Sequence, residues 1–234
     1  MDKIIRQIKQ EVYDLLGDRD FAHGAEHSFR VYDWAMRFAD DCGADKDIVA
    51  ISALLHDCDD YKLFGKDAGE NLPNAKKIME TADVPLEIRP SIIKIIQNMG
   101  YSKLLKGIRP DSLEGACVSD ADMIDGIGAT GIFRTMFYNI NKGNPVFDRN
   151  LLPQDTVNYK AYKSESKTTA VNIYFDKLLR IKNFIITDSA KREALQRHKI
   201  MYDFMKCFFT ENEASEWLNI LKKYKYVLAN FHKF

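Results

Sequence analysis

Apolar residues fall on a helical period along almost the whole chain, and this regularity restricts the fold more than any other feature. Ile4, Ile5, Ile8, Val12, Leu15 and Leu16 make one stripe, stopped by Gly17. Val31, Trp34, Ala35, Phe38 and Ala39 make the next, stopped by Gly43. Ile48, Val49, Ile51, Ser52, Leu54 and Leu55 leave little polar face, which predicts a helix buried at the centre. Pro73 and Pro85 suit first-turn positions of two further helices. "DSLE" at 111–114 has the shape of a capping box, with Asp111 as cap and Glu114 reaching back, and opens a helix through "ACVSDADMIDGIG". "ATGIFRTMFYNI", "TTAVNIYFDKLLRIKNFI", "SAKREALQRHKIMYDFMKCFF" (capped by Asp188) and "ASEWLNILKKYKYVLANF" continue the same spacing. No segment shows sustained alternation with hairpin turns, and no internal repeat stands out. The expected architecture is a single all-α domain over residues 1–234, with roughly nine to eleven helices.

The interruption is the stretch from Asn141 to about Lys167, "NKGNPVFDRNLLPQDTVNYKAYKSESK", which has no clear period and carries Gly, Pro, Asn and Ser. Loops of that length are usually functional or mobile. The formal net charge is +0, so no global field attracts nucleic acid or an anionic membrane, although a small anionic ligand can still meet a local patch. No apolar run approaches the ~20 residues of a membrane helix, and no signal peptide is indicated. Cys42, Cys58, Cys117 and Cys207 are scattered without a CxxC, which favours reduced thiols and a cytoplasmic location over a disulfide framework or zinc finger.

Chemistry concentrates in two places. "FAHGAEHSFRV" and "LLHDCDDYK" contain His23, His27 and His56, and the second adds Asp57, Cys58, Asp59, Asp60 and Lys62 at the end of the apolar helix. Asp120, Asp122 and Asp125 form a second acidic cluster, in which Asp122 and Asp125 share a helix face and Asp120 points elsewhere. Helix caps and solvated ends also use His and Asp. A His-Asp pair terminating a buried helix is different, because an unpaired charge there is costly. Imidazole and carboxylate are the ligands of borderline divalent ions, and two of each leave positions open for water and substrate oxygens, as a hydrolytic site needs.

The order H…HD…D, as His27, His56-Asp57 and Asp122, resembles the HD-domain metal-dependent phosphohydrolase superfamily. The ordered set "HGAEHSFRV", "ALLHDCDDYK", "LEGACVSDADMIDGIGATGIFRT", "PVFD" and "FDKLLRIKNFI…RHKIMYDF" is similar to one bacterial branch of predicted HD hydrolases, itself similar to a nucleoside-triphosphate pyrophosphohydrolase. The resemblance implies an HD-domain-like helical bundle with its metal-site core at about 20–130 and C-terminal helices at about 168–234 completing the pocket. It implies metal ligands His27, His56, Asp57 and Asp122, the last because "ADMI" fits the superfamily's final Asp. It places Asp60 as an acid/base group and Lys62 on a phosphate oxygen. Gly24 departs from the branch, which commonly has Asp after the position of His23. Some members use additional histidines for a second metal; no histidine lies between Cys58 and Ala121, so one divalent ion is expected (Mn, Mg, Co, Ni, Fe or Zn), a second being held at most weakly by carboxylates such as Asp60.

The expected function is hydrolysis of a phosphorylated small molecule, above all a nucleotide, by metal-activated water. His23, Arg30, Lys62 and Arg134 are the expected substrate-side residues. Cys58 is expected to pack rather than ligate, and His198 to sit on a helix surface, with lining of the pocket from the C-terminal half as its alternative. The alternative is a non-catalytic metal and nucleotide sensor of the same fold.

Overall fold

The computed structural model describes residues 1–17, 24–153 and 168–225. Twelve α-helices and one 3-10 segment occur among the described residues, and no strand. None of these helices is long and apolar enough to cross a membrane. The chain divides into two compact units, Met1–Asp125 and Gly126–Phe234.

The first unit contains α1 (Asp2–Leu16), α2 (Ala25–Cys42), α3 (Lys46–Leu55), α4 (Tyr61–Asn71), α5 (Pro73–Thr81), α6 (Arg89–Asn98), α7 (Tyr101–Leu105) and α8 (Leu113–Asp125). α3 is its axis. Every residue from Val49 to Leu55 is buried, and α1, α2, α6 and α8 all pack against this helix. Ile8, Val12 and Leu16 of α1 join Ile51, Leu54 and Leu55 in one apolar cluster, to which α5 adds Ala75, Ile78 and Met79. Asp45 caps α3, accepting from the amides of Asp47 at 2.9 Å and Ile48 at 3.2 Å. Gly43, at φ 76°, closes α2 in the left-handed conformation that glycine adopts without strain.

Several local signals resolve differently from the sequence reading. Pro85 lies outside any helix, and Pro90 takes the first-turn position of α6. The capping box at 111–114 does not close on itself. Ser112 Oγ accepts from Gly115 N at 3.0 Å, Asp111 pairs with Lys94, and Glu114 accepts from Asp45 N at 3.1 Å, bracing the start of α3 instead. The short helices α4 and α7 carry too weak a period to read from sequence, and α4 is broken by Gly65 at φ 88°.

The second unit contains α9 (Gly128–Asn141), α10 (Ala170–Asp176), a 3-10 segment (Leu178–Asn183), α11 (Asp188–Glu211) and α12 (Ser215–Lys222). Thr187, not Asp188, is the residue before the first turn of α11; Asp188 lies inside that turn and pairs with Lys191 at 2.9 Å. Phe147, Phe175, Phe209 and Trp217 form an aromatic core, with Phe147 edge-on to Trp217 at 5.2 Å between centroids. Trp217 also donates from Nε1 to the Arg149 carbonyl at 3.0 Å. The "PVFD" part of the long loop is therefore tied to this unit by packing. Residues 154–167 of that loop, and the end of the expected last helix, lie outside the described residues.

The charge-dense turn after α3 has a structural purpose alongside any chemical one. Asp59 is buried, and its two oxygens accept from Asn74 N at 3.0 Å and Ala75 N at 2.9 Å. Those amides open α5, whose own N-terminal residue Leu72 supplies no side-chain cap. Asp59 thus caps a helix that begins fourteen residues further along, a bond no local pattern reveals. Losing such a cap costs about 0.5–2 kcal/mol. Asp59→Ala should lower the unfolding free energy by about that amount or more in urea denaturation, while metal content, measured by elemental analysis of the folded variant, stays at the wild-type level.

Candidate metal centre

Three helices of the first unit meet where the cluster forms. α2 presents His27 and, one turn later, Arg30; α3 ends at His56, its C-cap, followed by Asp57; α8 brings Asp122 and Asp125 on its last turn. His27 Nε2 and His56 Nε2 approach to 3.3 Å, with the rings inclined at 73°. Asp57 Oδ2 lies 3.4 Å from His27 Nε2, and Asp57 Oδ1 lies 3.6 Å from His56 Nε2. Ligand atoms of His27, His56 and Asp57 all fall within 4.8 Å of one another. Asp122 joins from the His27 side, its Oδ1 3.5 Å from Nε2.

The outer nitrogens determine what the inner ones can do. His27 Nδ1 is 2.8 Å from Asp125 Oδ2, and Asp125, 1% exposed, is ion-paired through Oδ1 to Arg30 Nε at 2.8 Å and through Oδ2 to Nη2 at 3.0 Å. A carboxylate held by a guanidinium is ionised and only accepts, so Nδ1 carries the proton. His56 Nδ1 likewise donates to the Ala53 carbonyl at 2.7 Å. In their neutral forms both imidazoles aim Nε2 lone pairs at each other, with two carboxylates alongside. Such an assembly of acceptors repels itself unless a cation sits among them. With metal–ligand bonds of about 2.1 Å, neighbouring ligand atoms lie about 3.0–3.4 Å apart, close to the spacing found. His27, His56 and Asp57 can thus hold a divalent ion. Burial pushes the Asp57 carboxyl up, but His56 and His27, helped by Lys62 and opposed by Asp122, hold it below the usual carboxylate range.

Access is from the carboxylate side. The side chains of Asp57 and Asp122 are 17% and 21% exposed, whereas His27 is 2% exposed. Asp120 is 1% exposed and lies two residues before Asp122, so it leaves the helix about 200° away. Asp60 caps α4, accepting from Lys62 N at 2.7 Å, and its other oxygen is 3.9 Å from Lys62 Nζ. Cys58 lies in the apolar cluster, its thiol pushed well up by burial and by Asp59 and Asp57, so packing is its role.

The remaining candidates are distributed otherwise. Arg30 is engaged by Asp125, as above. Arg134 is partly exposed on α9 of the second unit, and His23 lies outside the described residues. His198, expected on a surface, is 1% exposed; its Nε2 donates to the Tyr224 carbonyl at 2.7 Å and burial lowers its pKa. The residue that sequence reasoning passed over is Asp125. Its signal was present: His27 and Arg30 are one turn apart on α2, so a single acidic residue can serve both.

The chain is similar to known proteins in both sequence and fold. A sequence profile described as HD domain matches residues 24–127. YpgQ of Bacillus subtilis is 31% identical over 215 residues, spanning 87% of this chain and 91% of that protein. A crystal structure from Lactobacillus plantarum superposes with a TM-score of 0.79 at 30% identity, covering 92% of this chain and 98% of its own. That of an HD-superfamily hydrolase from Bacillus thuringiensis gives 0.67 at 28% identity, covering 91% and 98%. YpgQ has also been crystallised in complex with ADP; that structure superposes at 0.67 and 26% identity, covering 88% of this chain and 97% of its own.

Partners that fix the outer nitrogen of a ligating histidine typically change metal affinity by 10–100-fold. Asp125→Asn should weaken Mn binding within that range in calorimetric titration, with the circular dichroism spectrum unchanged.

Proposed function

The chain belongs to the HD domain family, and from that premise we propose that it is a metal-dependent phosphohydrolase acting on a nucleotide. The observation that carries the reading is the meeting of His27, His56 and Asp57, whose ligand atoms all lie within 4.8 Å of one another, with Asp122 Oδ1 3.5 Å from His27 Nε2. One divalent ion there would act as a Lewis acid and lower the pKa of a water. The crystallisation of YpgQ with ADP supports a nucleotide as the ligand class.

The chain's own residues then divide the work. Arg30 and Asp125 hold His27 in the tautomer that ligates, and Ala53 does the same for His56. Asp122 is the fourth ligand, leaving the exposed carboxylate side for substrate. Lys62, 45% exposed and near enough to act on Asp57, neutralises a phosphate oxygen. Asp60 orients the attacking water or accepts its proton. The phosphorus–oxygen bond to the leaving group then breaks in line with the new one.

The test is a panel of nucleoside mono-, di- and triphosphates incubated with the protein and each of Mn, Mg, Co, Ni, Fe and Zn, with products identified by chromatography. No phosphate or pyrophosphate release in any combination would overturn the reading. Within an active pair, Asp122→Asn should abolish turnover, whereas folded Asp120→Asn should keep a measurable rate; the reverse ranking would exchange their roles.

Asp60 needs a substitution that spares its cap. Asn caps as well as Asp, so Asp60→Asn isolates the chemistry and should lower kcat by about 10²–10⁴-fold with metal still bound. Lys62→Ala should raise KM at least as much as it lowers kcat. Near wild-type kinetics in both variants would reduce the turn to a decorated helix end.

A further inference from the structure

Two of the four cysteines, 75 residues apart in sequence, meet in the first unit. Cys42 is the last residue of α2 and is partly exposed; Cys117 lies on α8 and is fully buried. Their sulfurs are 3.4 Å apart, against about 2.05 Å in a disulfide. Both are free thiols. The other two cysteines differ: Cys58 is sealed in the apolar cluster, and Cys207 is exposed on α11. We propose that Cys42 and Cys117 are an oxidative modification site, closing to a reversible disulfide by exchange with a small-molecule disulfide such as oxidised glutathione.

The order of events follows from exposure. Cys42 is the sulfur a solvent-borne disulfide can reach. Cys117 is a poor first nucleophile, because burial and the neighbouring Cys42 push its thiol up. Cys42 as thiolate attacks one sulfur of R–S–S–R, forming a mixed disulfide and releasing one thiolate. Cys117, already in contact, then loses its proton and attacks the Cys42 sulfur, releasing the second thiolate. The protein loses two electrons and two protons, and one R–S–S–R becomes two R–SH.

The bridge would join the two helices that carry His27 and Arg30 on one side and Asp122 and Asp125 on the other. It leaves the cluster itself chemically untouched, so it is independent of the hydrolase reading and tested without an activity assay.

The experiment treats the reduced full chain with oxidised glutathione, blocks remaining thiols with iodoacetamide and maps peptides by mass spectrometry. The expected result is a Cys42–Cys117 cross-linked peptide lacking two hydrogens, abolished by dithiothreitol, with glutathione retained on Cys207. In Cys117→Ala, which cannot resolve the intermediate, Cys42 should keep its glutathione. Alkylated Cys42 and Cys117 in the wild type, or a stable glutathione adduct on wild-type Cys42, would overturn the proposal. The bridged protein should unfold about 4–10 °C higher than the reduced one; a lower midpoint would show that the native packing cannot accommodate the bond and would overturn it as well.

Discussion

The buried contact of His27 with Asp125 is the interaction on which the site depends. It joins the first turn of α2 to the last turn of α8, places a proton on Nδ1 and so turns Nε2 inward. A carboxylate as buried as Asp125 needs a compensating charge, and Arg30 supplies it from the same face of α2 as His27. Three side chains thus turn a helix contact into a coordination direction. His56 is oriented in the same way by the carbonyl of Ala53 at the end of α3.

α3 makes this geometry possible because it is apolar all round. A helix buried on every side cannot drift, so the His-Asp pair at its end is held at a fixed point between α2 and α8. The turn that follows distributes its charges among distinct tasks. Asp57 faces the cluster, Asp59 caps α5, Asp60 caps α4 and Cys58 fills the core. A run of five residues that reads as one chemical motif is in fact a junction from which three helices are organised.

Family membership fits this arrangement, since the matched span of 24–127 contains all the residues that converge. An ion held by His27, His56 and Asp57 would be selected by the number and hardness of its ligands.

Much of this was written in the chain itself. The 3.6-residue spacing determined an all-α fold, Gly17 and Gly43 set helix ends, and an apolar helix closing on His56-Asp57 marked the site. Helical rotation let only one of Asp120 and Asp122 face the cluster, and the resemblance pointed to Asp122. Other features were decided by tertiary contact alone: Asp59 capping α5, Glu114 bracing the start of α3 rather than its own helix, the pairing of Cys42 with Cys117, and the burial of His198. The physical reason is the same in each case. Periodicity and capping are short-range, because the partners lie within one or two turns and the backbone fixes their spacing. A carboxylate, thiol or imidazole with a distant partner has no such signature, since its partner is chosen by which helices the buried apolar surface brings together.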